Sequence, residues 1–173
     1  MVVSDFRISY SRNTGFPHQM LHIKPHIMLL FAQTQCIMGY RGELAMTILI
    51  VDDSRIMRNT VKGVFTGVGI PFTYVEASNG EEALALLDAF TIDLVLLDWN
   101  MPKLSGIDFL KAVRAMDKYK SLPIVMVTSE SAKFNVIEAL KNGATDYITK
   151  PISSETFREK IAKIPQFSGL LRR

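Results

Sequence analysis

Five short runs rich in apolar and β-branched residues, each ending on an ionisable or hydroxyl side chain, constrain this chain more than any other feature. Residues 47–51 (TILIV) run into Asp52-Asp53, and Leu94–Leu97 (LVLL) runs into Asp98. Residues 124–127 (IVMV) follow Pro123 and run into Thr128, while Asp146–Thr149 (DYIT) runs into Lys150-Pro151. Phe72–Ala77 follows Pro71 and ends at the turn residues Ser78-Asn79-Gly80. Unbroken apolar runs of this length fit strands covered on both faces, as in parallel sheets.

Helical spacing fills the gaps between these strands. Residues 55–67 carry Ile56, Val61, Val64 and Phe65, and residues 81–90 carry Ala83, Leu84, Leu87 and Phe90. Residues 105–116 carry Ile107, Leu110, Val113 and Met116; residues 132–142 carry Phe134, Ile137 and Leu140; residues 154–164 carry Phe157, Ile161 and Ile164. Every one of these stripes is expected to pack against the sheet. Glu81 and Glu82 suit a helix start, Asn142-Gly143 a helix end, and Pro165 closes the last helix. The alternation predicts an α/β fold, a (βα)5 doubly wound parallel sheet of five strands with right-handed crossovers.

In such a sheet, ligands bind in the crevice beyond the carboxyl ends of the strands. Asp52, Asp53, Asp98, Thr128 and Lys150 all stand just past a strand, so they are expected to meet at one edge. Three carboxylates brought together must hold either a proton or a cation. Their hard oxygens suit Mg²⁺, which keeps several waters and readily shares a phosphate. Lys150 can pair with a phosphoryl oxygen as a point charge. The Thr128 hydroxyl can donate to another such oxygen, or can be a structural hydroxyl only. The set suits phosphoryl transfer, where positioning and charge neutralisation do the work. Asp98 is the expected acceptor, because Trp99-Asn100-Met101-Pro102 forms a loop that leaves its carboxylate facing the crevice. Trp99 itself is expected to face solvent and to take no part in the chemistry.

Composition narrows the alternatives. Of 173 residues, 48% are hydrophobic and 21% charged, which excludes a disordered chain. Cys36 is the single cysteine, so a disulfide framework and a cysteine-based zinc site are excluded, and a reducing cytoplasm suits the chain. Basic and acidic groups number 20 and 17, of which residues 1–45 hold four and two; the rest is nearly neutral and lacks a nucleic-acid footprint. Residues 1–45 show no sustained period. Their apolar run at 27–32 falls far short of the about 20 residues a membrane span needs, and Pro25 with scattered basic residues argues against a signal peptide. His18, His22 and His26 fall four apart, but Pro17 and Pro25 break the helix that would align them, so the spacing is read as coincidence. The expected organisation is an irregular extension over 1–45, a domain over 46–165 and a short tail over 166–173. Translation is expected to begin at Met46, since Gly42-Glu43 can be encoded as a ribosome-binding sequence with Leu44-Ala45 as spacer. The rival reading is an extension whose apolar run docks on the domain or a partner.

The ordered motifs resemble the bacterial response-regulator receiver domain. Ile50-Val51-Asp52-Asp53-Ser54-Arg55 is similar to that family's metal-binding acidic pair. Leu97-Asp98-Trp99-Asn100-Met101-Pro102, with Gly106 beyond it, is similar to its phosphoacceptor loop. Val125-Met126-Val127-Thr128-Ser129-Glu130 is similar to its switch strand, and Gly143-Ala144-Thr145-Asp146-Tyr147-Ile148-Thr149-Lys150-Pro151 to its final lysine strand. The resemblance runs from about Thr47 to Ile164 and implies the flavodoxin-like strand order 2-1-3-4-5. It further implies Mg²⁺ on Asp52, Asp53, Asp98 and the Asn100 backbone carbonyl, and a Thr128–Tyr147 switch. Asn100 and Glu130 become the positions that tune phosphoryl lifetime, and Pro151 is expected to follow a cis peptide. The acceptor loop and these two positions are most similar to stand-alone chemotaxis regulators of the family. Ile152, where the family often has Phe, departs from it.

The implied protein is a monomer switched by a histidine kinase, with a flagellar motor switch protein as its partner and a phosphatase to end the signal. Lys133, Lys141 and Lys160 would give its partner face a basic rim. A phosphorelay shuttle is the neighbouring alternative. An aspartyl-phosphate hydrolase would want a second aspartate where Asn100 stands, and a nucleotide-binding Rossmann domain would want a glycine-rich loop that residues 47–58 lack.

Overall fold

The β-branched runs pair in parallel. The computed structural model describes residues 46–66, 72–129 and 133–169. Strands β1 (Met46–Val51), β2 (Phe72–Ala77), β3 (Leu94–Leu97), β4 (Ile124–Thr128) and β5 (Asp146–Thr149) alternate with helices. The helices are α1 (Arg55–Thr66), α2 (Gly80–Ala89), α3 (Gly106–Arg114), α4 (Lys133–Lys141) and α5 (Ser154–Ile161). The strand order is β2-β1-β3-β4-β5 with every pair parallel, as expected.

Because strand side chains alternate, two cores form. Leu49, Val51, Val95, Leu97, Ile124 and Met126 face α2 and α3, meeting Leu86, Leu87, Phe109, Leu110 and Val113. Ile48, Ile50, Leu94, Leu96, Val125 and Val127 face α1 and α5, meeting Val61, Phe65, Phe157 and Ile161. All of β3 and β4 is buried, which explains their lack of polar alternation.

Side chains start three of the helices. Asn79 Oδ1 accepts from Glu82 N at 3.0 Å, while Glu82 Oε2 accepts from Ser78 N at 2.9 Å. Ser105 and Ser153 cap α3 and α5 in the same way. Gly106 matters for a different reason. A Cβ there would lie 2.0 Å from the Asp98 carbonyl oxygen, so only glycine lets α3 start this close to the loop after β3.

The expectation that every helical stripe packs against the sheet fails in part. The stripe on α4 does not pack against the sheet: Phe134 is 74% exposed, Ile137 49% and Leu140 45%. Ala139 is buried and Asn135 and Val136 are half-buried, so the smaller face of α4 meets the sheet and the apolar stripe looks outward. Ile56, at the first turn of α1, is 77% exposed, and Met116 is exposed just past the end of α3. Part of the short tail packs on the domain. Beyond Ile164 a 3-10 turn, Pro165–Phe167, buries Phe167 completely and stacks it 6.3 Å from Phe72. Phe65 links this pair to Phe157, with ring centroids 4.9 Å from Phe72 and 4.8 Å from Phe157. No helix among the described residues is long and apolar enough to cross a membrane.

Two substitutions separate these surfaces. Phe167→Ala should lower unfolding free energy by about 3–5 kcal/mol, the range for truncating a buried aromatic, as read by urea denaturation. Ile137→Gln should change it by no more than about 0.5 kcal/mol. A large loss at Ile137 would mean that α4 packs the other way round.

Candidate functional site

Backbone pairing sets the site. Val51 stands opposite Leu97, and the ladder continues one step further as Asp98 N donates to Val51 O at 2.8 Å. Asp52 N donates to Ala77 O at 3.1 Å, and Lys150 N to Thr128 O at 2.9 Å. Asp52, Asp98 and Thr128 are buried at this edge. Lys150 precedes a cis peptide to Pro151, as the resemblance implied.

One ammonium joins the two buried carboxylates. Lys150 Nζ donates to Asp52 Oδ2 at 2.7 Å and to Asp98 Oδ1 at 2.8 Å. The remaining oxygens take backbone donors: Ser54 N to Asp52 Oδ1 at 2.8 Å, and Asn100 N to Asp98 Oδ2 at 3.0 Å. Burial pushes the Asp98 carboxyl above the usual carboxylate range; Lys150 pulls it down, and the Asp52 charge adds to the rise. Burial alone would depress the Lys150 ammonium, but its bonds to both aspartates outweigh that and leave it raised, hence firmly charged.

Asp53 is placed differently from its neighbour. Its side chain is exposed at the rim, and among the described residues no three acidic, histidine or cysteine side chains converge into a ready metal cage. The donor chemistry still fits Mg²⁺. An ion that retains several waters needs few protein ligands, and the carboxylates of Asp52, Asp53 and Asp98 with the Asn100 carbonyl are hard oxygens.

Behind the crevice lies a narrow gap lined by Trp99, Met126, Thr128, Asn135, Val136, Ala139 and Tyr147. Trp99 is half-buried and packs on the core, where solvent exposure was expected, because the loop folds back over Gly106, whose N donates to Trp99 O at 3.0 Å. Tyr147 is half-buried on the far side of the gap. Lys160 Nζ sits 4.4 Å from the centre of its ring and bonds Asp146 Oδ1 at 2.7 Å. Lys160 is therefore engaged, while Lys141 is exposed. Glu130, the Lys133 side chain, Cys36 and the histidines 18, 22 and 26 lie outside the described residues.

Sequence reasoning missed Arg58. Its Nη1 donates to the Asp52 carbonyl at 2.8 Å, and its Nε to Glu76 Oε2 at 2.9 Å. Nothing in a basic residue on a helix announces a contact that reaches back across six positions to the loop.

Two buried aspartates on one lysine, at the carboxyl edge of a 2-1-3-4-5 sheet, define a receiver-type site. A family model for the response regulator receiver domain matches residues 48–162, and the chain belongs to that family. It is 43% identical over 119 residues to the chemotaxis protein CheY of Pseudomonas aeruginosa, an alignment covering 69% of this chain and 95% of that protein. The solved chemotaxis protein CheY4 of Vibrio cholerae superposes with a TM-score of 0.64 at 33% identity, covering 70% of this chain and 99% of that one. A CheX–CheY–BeF3–Mg²⁺ complex from Borrelia burgdorferi gives a TM-score of 0.63 at 29% identity, covering 69% and 88%. The chain is thus a receiver domain of the kind found in CheY-like chemotaxis response regulators.

The raised Asp98 carboxyl carries a stability consequence. A group whose ionisation is harder in the folded chain than in the unfolded one contributes stability at low pH and loses it as pH rises through its folded pKa. Asp98→Asn should therefore raise the urea midpoint at pH 7 in EDTA, with the gain shrinking as pH falls towards 4. An unchanged midpoint at both pH values would mean that Lys150 fully compensates the burial of Asp98.

Proposed function

We propose that this protein is a stand-alone response regulator, phosphorylated on Asp98 by a histidine kinase and signalling through phosphorylation-dependent protein binding in chemotaxis or flagellar motor control. The observation that carries the reading is the Lys150 ammonium shared between buried Asp52 and Asp98 at the open crevice. An Asp98 oxygen attacks the phosphorus of a phosphohistidine or of acetyl phosphate. The P–N or P–O bond breaks, the leaving imidazole or acetate departs, and Asp98 becomes an acyl phosphate. Mg²⁺, held by Asp52, Asp53, Asp98 and the Asn100 carbonyl, supplies neutralising charge for the phosphoryl oxygens. Lys150 exchanges its Asp98 oxygen for a phosphoryl oxygen while Asp52 keeps it in place. Such a site promotes its own phosphotransfer and dephosphorylation and turns over no separate substrate.

The Thr128 hydroxyl then donates to the new dianionic group, and Tyr147 fills the space it leaves. Asn100 stands beside Asp98, and Glu130 is assigned with it to setting phosphoryl lifetime. The partner surface is α4, β5 and α5, where Phe134, Ile137 and Leu140 supply an exposed apolar stripe. A flagellar motor switch protein is the proposed occupant. A phosphatase would end the signal; the Borrelia relative is solved bound to CheX. The setting is the cytoplasm and the protein acts as a monomer.

Incubation with acetyl phosphate and Mg²⁺ should phosphorylate the wild-type protein. Asp98→Asn should abolish labelling, and EDTA or Asp53→Asn should reduce it at least tenfold. Metal-independent labelling of Asp98→Asn would remove Asp98 as acceptor.

Beryllofluoride should strengthen binding of a motor-switch peptide, because only a ligand that distinguishes the two states can report the switch. Phe134→Glu should weaken that binding at least tenfold while leaving phosphorylation of Asp98 intact. Undiminished binding would move the partner off α4.

A further inference from the structure

Lys150 Nζ and Ser54 N tie the Asp52 carboxylate, but Asp53 beside it has no such hold. Past Asp52 N the backbone ties to the sheet end, and Asp53 makes no side-chain hydrogen bond or ion pair among the described residues. At the start of α1, Arg58 N donates to Ser54 O at 3.1 Å and Met57 N makes a long bond to Ser54 Oγ at 3.4 Å, and neither reaches Asp53. Arg58 supplies what is missing. Its Nη1 bonds the Asp52 carbonyl at 2.8 Å and approaches the Asp53 carbonyl at 3.5 Å. The guanidinium is in turn fixed by Glu76 on β2, whose other oxygen takes Lys62 Nζ at 2.6 Å. Glu76 pairs in register with Ile50, so this anchor is as rigid as the sheet.

We infer that Arg58, anchored by Glu76, is the positioning residue of the cation site: it fixes the backbone of Asp52 and Asp53 and so aims the otherwise unrestrained Asp53 carboxylate. The inference rests on the proposed Mg²⁺-dependent reading and deepens it. Arginine suits the role because its planar fork holds the Glu76 carboxylate through Nε and the Asp52 carbonyl through Nη1 in one fixed geometry, whereas a lysine offers a compact point charge on a flexible stem. The role also has a diagnostic sign. Arg58 is itself a cation near a site for a cation, so by Coulomb's law its removal should tighten Mg²⁺ binding. If positioning dominates, removal weakens it.

The test is Mg²⁺ affinity, read by calorimetry and by the fluorescence of Trp99, together with thermal melts in EDTA. Arg58→Met and Arg58→Lys should each weaken Mg²⁺ binding at least fivefold in protein that remains folded. In an Asp53→Ala background, Arg58→Lys should shift the affinity less than twofold, since its effect passes through Asp53. Tighter binding in Arg58→Met, unchanged affinity in Arg58→Lys, or a lowered melt with unchanged affinity would each overturn the positioning role. A wild-type protein that binds no Mg²⁺ would overturn the metal reading itself, and the clamp with it.

Discussion

The Lys150 ammonium between Asp52 and Asp98 is the interaction on which the site depends. Two carboxylates removed from water at the end of adjacent strands repel strongly, and the low dielectric magnifies that repulsion. Lysine Nζ at 2.7 and 2.8 Å makes the pair tolerable but does not neutralise the edge. Asp52, Asp53 and Asp98 bring three negative charges against one positive. A divalent cation matches the remainder, and a phosphoryl group can then enter without facing bare carboxylates. The crevice is thus short of positive charge by design of its residues, and Arg58, committed to backbone carbonyls and Glu76, does not make up the difference.

Register makes this arrangement possible. Side chains alternate along a strand, so a slip of one residue would turn a buried functional group to the opposite face. Val51 opposite Leu97, and Thr128 opposite Thr149, bring the strand ends to the same level. The two cores then hold that level from both sides. Gly106 completes the geometry by letting α3 approach the Asp98 carbonyl, which folds the acceptor loop inward and brings Trp99 onto the core.

The parts of this structure legible from sequence were those with strong local or ordered signals. Unbroken β-branched runs marked the strands, and the residues just past them marked the edge where Asp52, Asp98, Thr128 and Lys150 stand. Periodicity alone could not say which way a stripe faces. Phe134, Ile137 and Leu140 have the spacing of a core face, but the small side chain of Ala139 lets α4 seat on its other side. Phe167 carried no signal because a single aromatic after Pro165 has no period. Its burial depends on Phe72, which stacks on it from a distant part of the sequence and is linked through Phe65 to Phe157. Arg58 was invisible for the same reason: it stands on α1, and its partner Glu76 lies on β2.

The two ends of the proposed switch meet at the gap behind Asp98. Thr128 and Trp99 line it together with Tyr147 and with Asn135, Val136 and Ala139 of α4. A change at the acceptor therefore needs no long route to reach the exposed stripe of α4. It has to move one hydroxyl and one ring. Lys160 opposes that motion from outside, because its ammonium holds the Tyr147 ring at 4.4 Å while being tied to Asp146. In the proposed switch, an inward move of Tyr147 would have to outweigh this contact, and a phosphoryl group drawing Thr128 away would open the space for it. On that proposal the resting place of the ring would be set by residues on β5 and α5, and any shift from it by chemistry at the end of β3.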